Sequence, residues 1–199
     1  MNPLLIRRRG MMMAASQSHV RLQYLTTTGA QMVITDIVIP AQTTVVKVVT
    51  EIKDGSGLST SRLIVSSYKS GENSEYQLYA NGNSFFQGFA YIAKNTSSFY
   101  TLTATRNPNT NKDIINGVSA NTNGRNHGGQ CIVLSAFANY TYFSNYQYTK
   151  YIDVYFDDVL VADFVPVRIG TIAQWYDQLN HKYWRSDTGT DYVAGPDVI

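Results

Sequence analysis

The sequence predicts an all-β protein, a two-sheet antiparallel jelly-roll sandwich of the concanavalin A-like type that follows an extended N-terminal arm. From residue 21 onward, short segments rich in β-branched and aromatic residues alternate with turn residues. The turn signals recur about every ten residues, a spacing that is typical of sandwiches and barrels. No amphipathic pattern long enough for a three-turn helix interrupts this series. At 199 residues, the chain has the length of one substantial domain.

Composition narrows the classes of function. Only 15% of the residues are charged and the formal net charge is +2, whereas the chain has fifteen tyrosines. This balance gives no case for nucleic acid as a partner, and no apolar run of about eighteen residues predicts a membrane span. The single cysteine, Cys131, excludes a disulfide within the chain and a cysteine metal site, and we expect it to be buried. No cofactor is expected.

The predicted strands follow one another from residue 22 to the C-terminus. A hairpin is expected over 151–156 and 159–165, with Asp157 and Asp158 as its turn. Residues 106–111 and 121–129 are predicted to be polar loops. The other principal strands are predicted at 32–39, which Pro40 ends, and at 43–52, 62–68, 74–80, 84–92, 98–104, 113–118 and 131–137. The predicted sandwich domain spans residues 21–199.

Residues 1–20 differ from the rest and are predicted to be an arm for anchoring or assembly. They contain the only dense basic run and show no strand alternation. The apolar stretch after the arginines is too short for a secretory signal. Fully extended, twenty residues reach about 65 Å, enough to cross a neighbouring subunit. We expect the arm to bind a partner through apolar packing and ion pairs, using Leu4, Leu5 and Ile6, and Arg7, Arg8 and Arg9.

Several stretches of the sequence resemble a known family. They are LQYLTTTGAQ (22–31), LVADFVPVR (160–168), WYDQLNHKYW (175–184) and TGTDYVAGPDV (188–198). The C-terminal stretches, in this order, are similar to motifs of laminin-G and concanavalin A-like sandwich domains encoded by phages and prophages of gut bacteria. The resemblance implies a jelly roll in a tail or capsid protein, with the chain's two ends side by side. Residues 54–148 carry no motif of the family.

We expect the motifs to be architectural, with Pro166 ending a strand because proline cannot donate to a ladder. Glycoside hydrolases share this fold, but the Glu-x-Asp-x-x-Glu pattern of the jelly-roll glucanases is absent. The nearest approach to the two carboxyl groups of a glycosidase is Asp153 with Asp157, and we predict no catalytic residue and no metal site. The three histidines, His19, His127 and His181, are expected to be solvated.

A cluster of aromatic residues lies between Tyr140 and Tyr155. Tyrosine faces stack on sugars or on a partner protein. The alternative is that alternate members are core and the others line a polar sheet face. The candidate ligand-binding residues of the cluster are Tyr140, Tyr142, Tyr146 and Tyr148.

The sequence therefore favours a non-enzymatic bacteriophage structural protein, a surface-exposed module that its arm attaches to capsid or tail. Its expected location is the virion, and its expected partners are other virion proteins and copies of itself. A glycan- or receptor-binding adhesin is the alternative, with a host-surface glycan as partner. A glucanase-like hydrolase is a third and weaker hypothesis.

Overall fold

The structure, a computed structural model, describes residues 18–54, 62–69, 76–93, 98–122, 127–135 and 145–199. Every regular element in these ranges is a β-strand. The strands are β1 (Val20–Arg21), β2 (Leu25–Thr28), β3 (Val33–Val38), β4 (Val46–Asp54), β5 (Arg62–Tyr68), β6 (Gln77–Asn81), β7 (Ser84–Gln87), β8 (Ala90–Ala93), β9 (Tyr100–Asn107), β10 (Lys112–Ile115), β11 (Val118–Asn121), β12 (Cys131–Leu134), β13 (Asn145–Phe156), β14 (Val159–Ile169), β15 (Ile172–Asp177), β16 (Lys182–Trp184) and β17 (Val193–Ala194). No helix in the described part of the chain could cross a membrane.

The strands form two antiparallel sheets that pack as a sandwich. The larger sheet has the order β11-β10-β9-β4-β13-β14-β15-β16, with β1 beside β14 and β2 between β13 and β17. The smaller sheet has the order β3-β12-β5-β6-β7-β8. The prediction of an all-β, two-sheet antiparallel sandwich is confirmed, and the arrangement is consistent with a jelly roll.

The core lies between the sheets and follows from the two-residue period of a strand, which sends alternate side chains to one face. In β13, Ile152 and Val154 are buried and their neighbours are partly exposed. The facing strands of the smaller sheet contribute to the same core cluster. From the larger sheet, the members of this cluster include Val48, Leu102, Ile152, Phe164 and Trp175. From the smaller sheet, they include Val33, Val65, Leu78, Phe85 and Ile132.

The two ends of the described chain lie together, as expected. Strand β17 pairs with β2, so that Val193 is opposite Thr26. The Asp187 amide donates to the Met32 carbonyl (2.7 Å), which also brings the region around β3 next to the last residues. Strand β1 pairs with β14 and begins at Val20, one residue before the predicted domain boundary. Residues 1–17 lie outside the described residues, and with them Leu4, Leu5, Ile6, Arg7, Arg8 and Arg9.

The hairpin around Asp157 and Asp158 is confirmed. It joins β13 to β14, and the φ angles of the two turn residues are 49° and 65°. Two consecutive residues with positive φ give the turn the backbone twist that suits an antiparallel hairpin, and Asp is among the residues that tolerate this conformation.

Other boundaries differ from the predictions. Pro166 does not end a strand but lies inside β14, opposite Trp175. It falls between the part of β14 that pairs with β13, up to Phe164, and the part that pairs with β1, from Val167. The missing N–H therefore lies where β14 changes neighbours, and the Pro166 carbonyl still accepts a hydrogen bond from the Leu22 amide (2.9 Å).

The segment 84–92 is also not one strand. It folds into β7 and β8 around Gly88, whose φ of +53° permits the tight turn. Cys131 is only partly buried, and its thiol donates to the Tyr68 carbonyl (3.2 Å).

A buried ion pair lies where a polar loop was expected. Arg106 belongs to β9 and is directly opposite Asp113 of β10. The Arg106 Nη1 atom lies 3.0 Å from Oδ1 of Asp113, and the two side chains are 2% and 0% exposed. Burying two charges is costly, and each partner offsets part of the cost for the other.

The loop histidine beside this pair is buried rather than solvated. His127 is 0% exposed, and its Nε2 lies 2.7 Å from the Thr44 carbonyl oxygen. Burial lowers the pKa of the His127 imidazole below its ordinary value. The structure thus places a buried imidazole near the ion pair at this end of the sandwich, within electrostatic range of Arg106 and Asp113.

Gly88 and Gly82 make a matched pair for testing the contact between the β7–β8 turn and Asp113. Both glycines have a φ of +53°, but a Cβ on Gly88 would lie 2.2 Å from Oδ2 of Asp113, whereas a Cβ on Gly82 meets nothing within 4 Å. We expect Gly82→Ala to cost about 1 kcal/mol of unfolding free energy, from backbone strain alone. Gly88→Ala is expected to cost about 3 kcal/mol more, since it displaces one partner of a buried ion pair. Chemical denaturation measures both, and equal costs would show that Asp113 is not held against the turn.

Candidate functional site

A bulge in β13 places its tyrosines on one surface. The pairing of β13 with β4 shifts between Thr149 and Tyr151, so one extra residue enters β13 there. Before the bulge, Thr149 is buried, and after it the inward positions are the even ones from Ile152 onward. Tyr148 before the bulge and Tyr151 and Tyr155 after it therefore all lie on the outer face of the larger sheet.

We call this surface the tyrosine face. It is defined by the outward side chains of β13 and of the strands beside it: Tyr148, Tyr151, Asp153 and Tyr155 from β13, Lys47, Glu51 and Lys53 from β4, and Asp163 from β14. It lies on the central part of the larger sheet, where β13 has β4 on one side and β14 on the other.

Tyr148, one of the predicted ligand-binding residues, lies at one end of the tyrosine face. Its ring meets that of Tyr24 edge to face at a centroid distance of 5.4 Å, and Nζ of Lys53 lies 5.8 Å from its centroid. Nearby, Lys150 pairs with Glu51 at 2.5 Å. The negative face of an aromatic ring attracts an ammonium group placed over it, as Lys53 is placed over Tyr148.

Tyr151 and Tyr155 continue the tyrosine face. Tyr151 is hydrogen-bonded to the side chain of Thr101, and burial raises the pKa of its phenol. Nζ of Lys47 lies 4.5 Å from the centroid of Tyr155 and 2.5 Å from a carboxylate oxygen of Asp158. These contacts fix both rings at half-buried positions on the sheet surface.

Two carboxyl groups meet between these tyrosines. Asp153 of β13 is directly opposite Asp163 of β14, and side chains directly opposite in an antiparallel pair are about 5 Å apart at Cβ. Partial burial, followed by repulsion from Asp163, raises the pKa of Asp153 to about 6. The Asp163 carboxylate accepts a hydrogen bond from Nε2 of Gln178 (2.8 Å).

Asp157, the partner that the sequence suggested for Asp153, does not share this surface. It lies in the turn, where its Oδ1 accepts from the Val45 amide (2.8 Å) and its own amide donates to the Val45 carbonyl (2.9 Å). Counting back from the turn places Ala162 opposite Asp153. A second bulge, between Val154 and Tyr155, shifts the register so that Asp163 takes that position. Sequence reasoning missed Asp163 because a bulge leaves no local signal in the residues.

The remaining predicted ligand residues fall elsewhere. Tyr140 and Tyr142 lie outside the described residues, as does the side chain of Tyr146. A second aromatic group covers the outer face of β15 and β16, where the rings of Tyr176 and Tyr183 lie 4.7 Å apart and His19 packs 4.8 Å from Tyr176. Sequence reasoning had placed His19 in the arm and missed this group.

The tyrosine face combines ring surfaces, phenol groups, carboxylates and ammonium groups, which is the chemistry that binds hydroxylated molecules. In the described ranges, no three His, Cys, Asp or Glu side chains are placed to hold a metal ion. Comparison with protein families finds no family model that matches this chain, and comparison with curated proteins finds no significant match.

The Asp153–Asp163 pair makes stability depend on pH. The pKa of Asp153, about 6, lies above the ordinary value of 3.8, so the folded state retains a proton that the unfolded state releases, and stability falls as pH rises from 4 to 6. Asp153→Asn should therefore raise the unfolding free energy at pH 8, by about 1 kcal/mol because the group is half solvated.

The control for this pair is a double-mutant cycle. At pH 4 and below Asp153→Asn should have little effect, and at pH 8 its benefit should shrink in an Asp163→Asn background. Urea denaturation at the two pH values measures each variant. A destabilised Asp153→Asn at pH 8 would contradict the repulsion inferred between the two carboxyl groups.

Proposed function

We propose that this chain is a non-enzymatic structural protein of a bacteriophage virion. Its sandwich would be exposed at the particle surface, and residues 1–20 would attach it to capsid or tail. Its partners would be other virion proteins and further copies of itself. The proposal rests on one observation. In the stretches that resemble phage sandwich domains, polar side chains form hydrogen bonds and ion pairs that stabilise the fold.

Asp177 shows this use. Its carboxylate is 1% exposed. One oxygen accepts hydrogen bonds from the amides of Leu179 (3.1 Å), Asn180 (3.2 Å) and Asp163 (3.2 Å), and the other accepts from Nδ2 of Asn180 (2.6 Å). A carboxylate with four such donors orders the β15–β16 turn, and its hydrogen-bonding positions are used within the fold.

Two aspartates of the last stretch pair with arginines: Asp197 with Arg168 of an earlier stretch, and Asp191 with Arg185, which directly follows Trp184. Arg185 binds both carboxylate oxygens of Asp191, at 2.8 and 3.1 Å, and Arg168 binds both oxygens of Asp197, at 3.0 and 2.9 Å. Two-point contacts of this kind fix orientation. In the stretches that resemble phage sandwich domains, these polar residues therefore stabilise the fold, which favours a structural module over an enzyme.

A glycan- or receptor-binding adhesin is the second candidate, and the tyrosine face favours it. Its three tyrosines lie on a central strand, so their positions are fixed by the sheet. The two functions are compatible in one protein. A glucanase-like hydrolase has less support, because Asp163, the carboxylate opposite Asp153, is engaged by Gln178.

The arm is the part of the proposal that an experiment can isolate. We expect full-length chain to be present in purified particles of the phage that encodes it. A chain that lacks residues 2–15 should keep the same thermal unfolding and be absent from the particles, since the sandwich starts after the deletion. Quantitative immunoblotting of particles assembled with each form measures incorporation.

Two outcomes would count against this account. Full-length chain that is absent from purified particles would contradict the virion assignment. Unchanged incorporation of the shortened chain would contradict the role of the arm alone. The matched control is Asp36→Asn, which removes the exposed ion pair with Lys182 on the sandwich and should not alter incorporation.

A further inference from the structure

Three aromatic rings form a ladder on the outer face of the smaller sheet. Tyr79 of β6 is directly opposite Phe86 of β7, and Phe86 is directly opposite Tyr91 of β8. The ring centroids of Tyr79 and Phe86 lie 4.9 Å apart with planes 6° from parallel, and those of Phe86 and Tyr91 lie 5.5 Å apart at 32°. We call these three residues the aromatic ladder.

The ladder is accessible at one end. Strand β8 is the last strand of the smaller sheet, and Tyr91 is 60% exposed. Tyr79 and Phe86 are half-buried, and burial raises the pKa of the Tyr79 phenol. Burial of an aromatic ring removes a large apolar area from water. Tyr91, the last ring of the stack, instead leaves much of this area exposed to solvent.

The strands under the ladder are anchored in the fold by their opposite faces and by the turn between β7 and β8. The opposite faces of the same strands point into the core, where Leu78, Phe85 and Ala90 are buried. The β7–β8 turn rests on the Arg106–Asp113 ion pair, because the Phe89 amide donates to Oδ2 of Asp113 (3.3 Å). A surface that is fixed before binding loses less conformational entropy when a ligand arrives.

The chemistry around the ladder is polar and uncharged. None of the residues of β6, β7 and β8 is charged. On the outer face the rings are flanked by Gln77 and Asn81 of β6 and by Ser84 of β7, which is opposite Asn81. The tyrosine face differs in this respect, since lysines and carboxylates surround its rings.

We propose that the aromatic ladder binds a neutral glycan. The C–H faces of a pyranose ring pack on Tyr91 and Phe86, and its hydroxyl groups exchange hydrogen bonds with the amide and hydroxyl side chains beside the stack. The lack of charge on the three strands selects against sulfated or uronic-acid polymers and against nucleic acid, which need cationic partners. The proposal concerns a different surface from the tyrosine face and holds wherever the chain is located.

Titration calorimetry of the full chain tests this proposal. The probes are neutral oligosaccharides of glucose, galactose, mannose, xylose and N-acetylglucosamine, with a uronic-acid oligosaccharide as the charged comparison. We expect saturable binding of at least one neutral probe. Tyr91→Ala should weaken it by about tenfold, the loss of one stacking partner, while Tyr91→Phe keeps the ring and should stay within about twofold.

The control is Val159→Ala, which removes an exposed apolar side chain (65% exposed) at the β13–β14 hairpin and should leave binding unchanged. Thermal unfolding verifies that each variant is folded. The proposal is overturned if no neutral probe binds, if only the charged probe binds, or if Tyr91→Ala binds as the parent does. Loss of binding in Tyr155→Ala but not in Tyr91→Ala would assign the glycan to the tyrosine face instead.

Sedimentation of the same variants examines a second copy of the chain as the occupant. We expect the parent and Tyr91→Ala to sediment alike at every concentration. Self-association that Tyr91→Ala abolishes, without glycan binding, would overturn the proposal in favour of contact between two copies.

Discussion

The sandwich depends on the pairing of its own chain ends. Strand β2 lies between β13 and β17, so the first residues of the domain separate its longest strand from its last one. The Gly195 amide donates to the Tyr24 carbonyl (3.0 Å), and the Gln23 amide donates to the Pro196 carbonyl (2.8 Å). Each such bond contributes only about 1 kcal/mol net. They also hold in place the segment that contributes the core residues Leu22 and Leu25, which are both 1% exposed.

This closure explains where the candidate surfaces lie. The bulge in β13 falls where its neighbour on one side changes from β2, which pairs up to Thr149, to β14, which pairs from Ile152. The tyrosines on both sides of the bulge lie on the outer face. At the other end, the Arg106–Asp113 pair fixes the turn that carries the aromatic ladder. Buried ion pairs add little to stability. We therefore assign this pair a positional role, since a misplaced β7–β8 turn would deprive the buried Asp113 carboxylate of the hydrogen bond from the Phe89 amide.

Much of the fold was predictable, because it follows from local patterns. The segment 62–68 is a short run with an apolar centre between turn residues, and it forms β5 with those bounds. Asp157 and Asp158 suit a two-residue turn and form one. By contrast, the polar run 106–111 predicts a loop at Arg106, whose burial depends on Asp113, which only the β9–β10 pairing brings opposite it.

The candidate surfaces were predictable only in part. The many tyrosines of residues 140–155 predict a ligand-binding surface on the segment that contains β13. Which of the rings face outward depends on the bulges, and these follow from strand register and not from composition. The aromatic ladder is not predictable in this way, because the pattern of residues 84–92 predicts one strand. With Gly88 as a turn, Phe86 and Tyr91 fall opposite each other, and the stack with Tyr79 follows from hairpin register.

Native-state hydrogen exchange is the most direct measurement of the closure on which this account depends. The amides to follow are those of Gln23, Asp187, Gly195 and Val198, whose acceptors are at the other end of the chain. We predict that they exchange only through global unfolding, with the same free energy of opening as Ile152 at the centre of β13. Exchange at the rate of a fraying terminus, while Ile152 stays protected, would contradict the account.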